Sequence, residues 1–127
     1  MRPFPFISRT NWFHILRIVL GLLMTAHGVM RILDRGIRPF GEFLSAQGFP
    51  DGVFIAWAIT LFEIAGGITL AMSFLRRPIC VVFIFELLMG ILLVHASNGW
   101  FVVGYTTGGI EYNVLLIVCF LTIASED

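Results

Sequence analysis

Long apolar runs, separated by polar or glycine-rich connections, dominate this chain. Each run can cross a bilayer as a helix, and none shows the strict alternation of a strand. The predicted spans are about 12–33, 53–74, 78–97 and 109–124. The fourth is short for a span, so part of the loop before it is expected to lie at membrane depth. The pattern predicts an all-α integral membrane four-helix bundle, forming a single transmembrane domain over residues 1–127.

Polar residues at the ends of the runs predict where the helices begin and turn. The first apolar run is longer than the core of a signal peptide, so it is expected to be retained as a span. Ser8, Thr10 or Asn11 can cap this first helix. Arg76 and Arg77 are expected to form the bend between the second and third spans.

The connection Asp34–Gly52 contains a short stretch with helical periodicity. Positions i, i+3, i+4 and i+7 of this stretch are Phe40, Phe43, Leu44 and Gln47. A proline precedes them and Gly48 follows them, as at the two ends of a helix. We therefore predict a short amphipathic interfacial helix between spans one and two, which either lies on the bilayer surface or caps the bundle. Asp51 can cap the second span.

Composition supports a membrane protein. Of the 127 residues, 58% are hydrophobic and 13% are charged, whereas a soluble domain keeps about a quarter of its residues charged. Eight arginines balance eight acids, so the net charge gives no indication of a nucleic-acid partner, and none is expected. Cys80 and Cys119 lie far apart in apolar runs and give no metal-ligand spacing, so no metal site is predicted. The expected partners are the lipid bilayer and either a protein partner subunit or a second copy in a homo-oligomer.

Arginines near the start of the chain and at the bend indicate an orientation. With the N-terminus inside, Arg2, Arg9, Arg76 and Arg77 lie on the cytoplasmic side, as the positive-inside rule requires. The connection between the first two spans also carries arginines and then falls outside, against the rule. Because the number of spans is even, both termini are expected to be cytoplasmic.

Ionisable side chains inside the spans are the candidate functional groups. Counted from the bend at 1.5 Å per residue, Glu63 and Glu86 lie roughly 15–20 Å deep. A second, outer layer consists of His27, Arg31, His95 and Glu111. A charged residue at a helix centre costs roughly 2.5–3.5 kcal/mol, and such residues usually mark ion, proton or substrate paths. We predict a shared polar pocket; alternatively, Arg31 only neutralises Glu111 or Glu63, and the set fixes helix register.

Several short motifs follow one another in the order typical of one membrane protein family. They are Arg17-Ile-Val-Leu-Gly-Leu-Leu-Met, His27-Gly28, Arg31, Gly48-Phe-Pro, Phe62-Glu63-Ile-Ala-Gly66-Gly67, Arg76-Arg77, His95 and Gly108-Gly109-Ile-Glu111-Tyr112-Asn113. Over nearly the whole chain, the sequence resembles the DoxX family of small four-span bacterial membrane proteins. The family often has a lysine where this chain has Arg31. The resemblance implies a bacterial cytoplasmic (inner) membrane location.

The resemblance also implies a link to redox chemistry. Namesake members are associated with thiosulfate:quinone oxidoreductase, others are implicated in membrane oxidoreductase complexes or quinone and oxidative-stress responses, and many have no assigned activity. The first hypothesis is therefore a quinone-linked oxidoreductase component, with quinone as the candidate cofactor and none bound covalently. The expected catalytic residues are Glu63, His27, His95 and Glu111. The expected substrate-binding residues are Arg31, Glu86, Tyr112, Asn113 and Arg17.

The residues leave other functions open. No C-x-x-C pair or iron–sulfur spacing occurs, so electrons would have to come from a partner subunit. A second hypothesis is a non-catalytic accessory or scaffold subunit of a larger membrane complex. A third is a small proton-coupled transporter that uses Glu63 or Glu86. A haem b held between His27 and His95 is a further alternative.

Overall fold

A computed structural model describes residues 6–126, which fold into helices and connecting turns without a strand. The α-helices are α1 (Arg9–Leu33), α2 (Ile37–Ala46), α3 (Gly52–Ala71), α4 (Arg76–Gly90) and α5 (Glu111–Ser125). A π-helical turn, Ile91–His95, and a 3-10 turn, Ala96–Asn98, continue α4. The predicted all-α membrane fold is confirmed. Arg2, one of the arginines used to predict orientation, lies outside the described residues.

The lengths of the helices agree with the predicted spans. α1, α3 and the continuous helix Arg76–Asn98 are long and apolar enough to cross a membrane, whereas α5 is a shorter apolar helix of 15 residues. Contacts within the chain divide the described residues into two compact units, 6–74 and 75–126. Each unit is built around a pair of packed helices, α1 with α3 and α4 with α5.

The turn between α3 and α4 differs from its prediction. The helix-free residues are Met72–Leu75, and Arg76 and Arg77 already belong to the first turn of α4. Ser73 and Leu75 have φ of 64° and 49°, and a left-handed residue cannot continue a right-handed helix. The prediction that Arg76 and Arg77 form the bend was therefore wrong, because the bend lies in the four residues before them.

Glycine allows α1 and α3 to pack closely in the first unit. A Cβ atom on Gly67 would overlap the carbonyl oxygen of Gly21 and the hydroxyl of Thr25, so only a hydrogen atom fits there. Thr25 donates its hydroxyl hydrogen to the carbonyl oxygen of Ile64 at 3.1 Å across the same contact. One helical turn further along α1, Gly28 packs against Thr60 and Ile64. Small residues at such contacts are typical of membrane helix pairs.

Helix α2 covers the beginning of α3 with its apolar face. Ile37 and Leu44 are buried together with Ala56 of α3, and Phe40 and Phe43 pack around them. The predicted amphipathic helix is therefore present, and its apolar face contacts the protein. Asp51 stands at the N-cap of α3 without making a side-chain cap; instead, the Ser45 hydroxyl accepts the Gly52 N–H at 3.1 Å. Ser8 caps α1, as one of its three candidates.

The second unit pairs α4 with α5 through an aromatic contact and helix-end hydrogen bonds. The rings of Phe83 and Phe120 lie 5.3 Å apart between centroids, and both side chains are fully buried. Arg77 Nε donates to the carbonyl oxygen of Ala124 at 3.2 Å, and Arg76 donates to that of Glu126. Arginine at a helix C-terminus satisfies free carbonyl groups and interacts favourably with the helix dipole.

Candidate functional site

A buried ion pair between two spans is the most distinctive polar feature of the first unit. Arg31 of α1 binds Glu63 of α3 through two hydrogen bonds, Nη1 to Oε2 at 2.9 Å and Nη2 to Oε1 at 3.3 Å. Arg31 Nη1 also donates to the Thr60 hydroxyl at 2.9 Å, and that hydroxyl donates to the carbonyl oxygen of Ala56 at 2.7 Å. We call Arg31, Glu63 and Thr60 the Arg31 cluster.

Local sequence positions the Arg31 cluster. Thr60 and Glu63 are three residues apart on α3, so they share one face of the helix. Gly28 lies against this face, because a Cβ atom there would come within 2.8 Å of the Thr60 carbonyl oxygen. The absence of a side chain at position 28 lets α1 lie close enough for the arginine one turn later to reach Glu63.

The two side chains of the ion pair differ in exposure, and one side of the guanidinium group remains accessible. The Glu63 side chain is 5% exposed, whereas that of Arg31 is 21% exposed. The ring of Phe40 covers the guanidinium group at 4.7 Å from Arg31 Cζ, a cation–π geometry. A fully paired carboxylate in an apolar span avoids the large cost of an isolated buried charge. The arrangement presents a positively charged donor at a partly open edge.

In the second unit, His95 and Glu111 hold the loop between α4 and α5. His95 Nδ1 lies 2.7 Å from the carbonyl oxygen of Gly108, which only accepts, so Nδ1 carries the proton. Glu111 Oε1 accepts the backbone N–H of Val102 at 2.9 Å. In a neutral His95, Nε2 is consequently an acceptor. Both side chains therefore order the loop, and His95 keeps one nitrogen that can take a proton.

Asn113 and Tyr112, at the start of α5, face different environments. The Asn113 amide is 6% exposed and donates to the carbonyl oxygen of Leu87 on α4 at 3.2 Å. Tyr112 is 36% exposed. Asn113 therefore fastens α5 to α4 just before the π-helical turn, a type of helix irregularity that is frequent at functional sites.

Arg17 binds the end of α3, far from the Arg31 cluster. Its Nε and Nη2 donate to the carbonyl oxygens of Leu70 and Ala71 at 3.1 and 3.2 Å, and Nη1 lies 2.7 Å from His14 Nδ1. Fourteen residues of α1 separate Arg17 from Arg31, which is about 21 Å along a helix. Arg17 thus satisfies helix-end carbonyls at the opposite end of the same helix pair.

Two further predicted residues, His27 and Glu86, differ in their exposure. His27 is exposed on α1 and makes no hydrogen bond to any residue from 6 to 126. Glu86 is half-buried on α4. Within the described part of the chain, no three His, Cys, Asp or Glu side chains come close enough to hold a metal ion. Of the nine predicted site residues, the structure joins Arg31 with Glu63 in one ion pair.

Two side chains that contact Arg31 were not predicted as site residues. Thr60 accepts from Arg31, and Phe40 covers it. The three-residue spacing of Thr60 and Glu63 could have indicated that both side chains lie on one face of the helix. The contact of Phe40 depends on how α2 folds back on α3, and no periodicity in the chain indicates it.

The helices and the intramembrane ion pair define a class, a small helical integral membrane protein. The family model for DoxX matches residues 13–96, about two thirds of the chain, so the chain belongs to the DoxX family. The match includes Arg31, Glu63, His27 and His95, and it ends before the loop and α5. No curated protein and no solved structure matches the chain.

Proposed function

We propose that this DoxX-family protein is the quinone-binding component of a membrane oxidoreductase, and that the Arg31 cluster binds the quinone head group. The observation that carries the proposal is a partly open guanidinium group in the last turn of α1, which is held by the buried Glu63 of α3. Quinones place an apolar tail in lipid and present carbonyl oxygens that accept hydrogen bonds. A charged, partly exposed N–H donor near the end of a span fits both features.

The hydrogen-bond inventory of Arg31 supports the fit. A guanidinium has five N–H donors; in Arg31, two contact Glu63 and one contacts Thr60. The Nε–H and one Nη2–H have no partner among residues 6–126. These two donors can bind a carbonyl oxygen without breaking the ion pair.

Each residue then has a definite part. A bound quinone would supply two-electron, two-proton redox chemistry. Arg31 donates to its carbonyl oxygen, while Glu63 and Thr60 hold the guanidinium in place. As a carboxylate, Glu63 is the adjacent group that can accept a proton.

The proposal includes a partner and a location. The chain has two widely separated cysteines and no C-x-x-C pair, so we assign electron delivery to a partner subunit. We place the protein in the bacterial cytoplasmic membrane with both termini cytoplasmic. Arg9 at the start of α1 and Arg76 and Arg77 at the start of α4 support this orientation by the positive-inside rule.

Titration of the purified protein in nanodiscs with a short-tailed benzoquinone tests the binding site. Replacing Arg31 by glutamine removes a charge-assisted hydrogen bond worth about 1.5–3 kcal/mol, so affinity should fall roughly 10- to 100-fold. Arg9→Gln, at the far end of α1, is the matched control and should bind like wild type. Helical circular dichroism verifies that each variant is folded. If wild type binds no quinone, or folded Arg31→Gln binds it equally well, the proposal is wrong.

A second candidate function is a non-catalytic accessory subunit. It is favoured by the structural use of predicted site residues: Arg17 binds helix-end carbonyls, Asn113 joins two helices, and Glu111 orders a loop. Under this function, a partner should co-purify in fixed stoichiometry. The quinone-reductase activity of the complex should remain unchanged in an Arg31→Gln variant that keeps the complex intact. The quinone proposal instead requires this activity to fall.

A further inference from the structure

A cavity of about 460 Å³ opens in the first unit where α1 ends and α2 and α3 begin. Its lining consists of Ile32, Arg35, Ile37, Arg38, Val53 and Trp57. The lining is apolar apart from the two arginines. Ile32, Val53 and Trp57 remain 38–43% exposed, so this apolar surface is open to a ligand.

The cavity belongs to the ends of two spans. Ile32 is in the last turn of α1, and Trp57 is five residues into α3, about 7.5 Å from its start. Ends of spans meet the headgroup region of a bilayer, where tryptophan is enriched and which long arginine side chains near helix ends can reach. A ligand here could place a charged group in the headgroup layer and an apolar chain against the spans.

The arginines of the cavity carry charge that the protein leaves largely unmatched. Arg35 is exposed and has no ion-pair partner among residues 6–126, although Asp34 precedes it in the chain. Arg38 pairs with Glu42 at 3.6 Å, with side chains 86% and 70% exposed. An exposed pair of this kind contributes little and can open readily. Guanidinium groups bind phosphate through two parallel hydrogen bonds, unlike the compact charge of lysine.

We propose that this cavity binds the phosphate headgroup of an anionic phospholipid. Arg35 and Arg38 contact the phosphate, and an acyl chain follows Ile32, Val53 and Trp57 toward the hydrocarbon core. Free phosphate shares the headgroup chemistry but would leave the apolar part of the lining uncovered. Arginine side chains close to a membrane surface attract acidic lipids. This site is separate from the Arg31 cluster, none of whose members lines the cavity.

Trp57 provides a direct reporter of occupancy. The other two tryptophans, Trp12 and Trp100, are exposed, so a Trp12→Phe/Trp100→Phe variant leaves Trp57 as the single tryptophan, which can be excited selectively over the tyrosines. In liposomes, brominated phosphatidylglycerol should quench Trp57 at a lower mole fraction than brominated phosphatidylcholine. Each arginine near the surface contributes about fivefold to binding of an anionic lipid, so Arg35→Gln/Arg38→Gln should weaken the preference roughly 25-fold.

Control experiments distinguish binding in this cavity from the general attraction of anionic lipids to positive charge. Arg9→Gln in the same background removes one positive charge at the other end of α1 and should keep the preference. Excess inorganic phosphate should not relieve the quenching. Equal quenching by the two lipids, or equal loss of preference in Arg9→Gln, would overturn the proposal. Relief by inorganic phosphate would instead assign the site to a free anion and overturn the lipid assignment. Quinone binding at Arg31 is measured separately and does not affect either result.

Discussion

The ion pair between Arg31 and Glu63 leads to a prediction about stability that does not depend on function. Replacing Arg31 by methionine leaves the Glu63 carboxylate, 5% exposed, without its partner. Removing one member of a buried pair costs about 3–5 kcal/mol. Replacing Glu63 by methionine strands a side chain that is 21% exposed. A long arginine can extend toward the surface, so we expect a smaller cost, about 1.5–3 kcal/mol.

The double variant distinguishes an energetic pair from two unrelated substitutions. Methionine at both positions removes both charges together and fills much of their volume with apolar atoms. Buried pairs replaced in this way are often neutral in stability, so Arg31→Met/Glu63→Met should unfold within about 1 kcal/mol of wild type. The coupling energy of the cycle would then be at least about 3 kcal/mol.

Unfolding in mixed micelles of dodecyl maltoside and increasing sodium dodecyl sulfate, followed by circular dichroism, measures the free energies of the four proteins. The exposed pair of Arg38 with Glu42 is the matched control, and Arg38→Met should change stability by less than about 0.5 kcal/mol. Additive losses in the double variant would show that the two side chains do not stabilise each other, and the pairing described above would be refuted.

Two further predictions concern helix packing and the loop. Gly67→Val places a side chain where even a single Cβ atom would overlap α1, so the free energy of unfolding should fall by about 1–3 kcal/mol or more. The control Ile68→Ala, at a 45% exposed position, should leave the free energy of unfolding nearly unchanged. Glu111→Leu removes the acceptor for Val102 N–H and should speed limited proteolysis within the loop 99–110, whereas Glu111→Gln, which keeps an acceptor, should not. Equal proteolysis of these two variants would contradict the proposed role of the carboxylate.

Hydropathy and capping chemistry placed the helices well because they act locally. Each predicted span begins and ends within about three residues of the observed helix, and Ser8 was among the cap candidates. The bend was misplaced because two arginines suggested a polar turn. The turn depends instead on left-handed residues such as Ser73 and Leu75, whose side chains are not ones that favour this conformation.

Which acidic side chain pairs with Arg31 could not be predicted in the same way. The sequence left both Glu111 and Glu63 as partners for Arg31, and counted depth favoured a shared outer layer. The structure joins Arg31 to Glu63, because the contact of Gly21 with Gly67 sets the register in which α1 and α3 lie side by side. Glu111 instead binds the backbone of its own loop. The depth of a residue along a span is a property of one helix. Whether two side chains pair depends on how both helices are rotated about their axes.

The amino-acid order alone determined that this protein crosses a membrane, roughly where each helix starts, and that ionisable groups lie within the spans. It did so because burial in lipid and backbone hydrogen bonding are decided over stretches of about twenty residues. Only the tertiary structure decided that Thr60 and Phe40 join Arg31, that Arg17 binds the end of α3, and that a basic cavity forms beside α2. These features arise from contacts between residues distant in the chain, which depend on helix rotation and close approach.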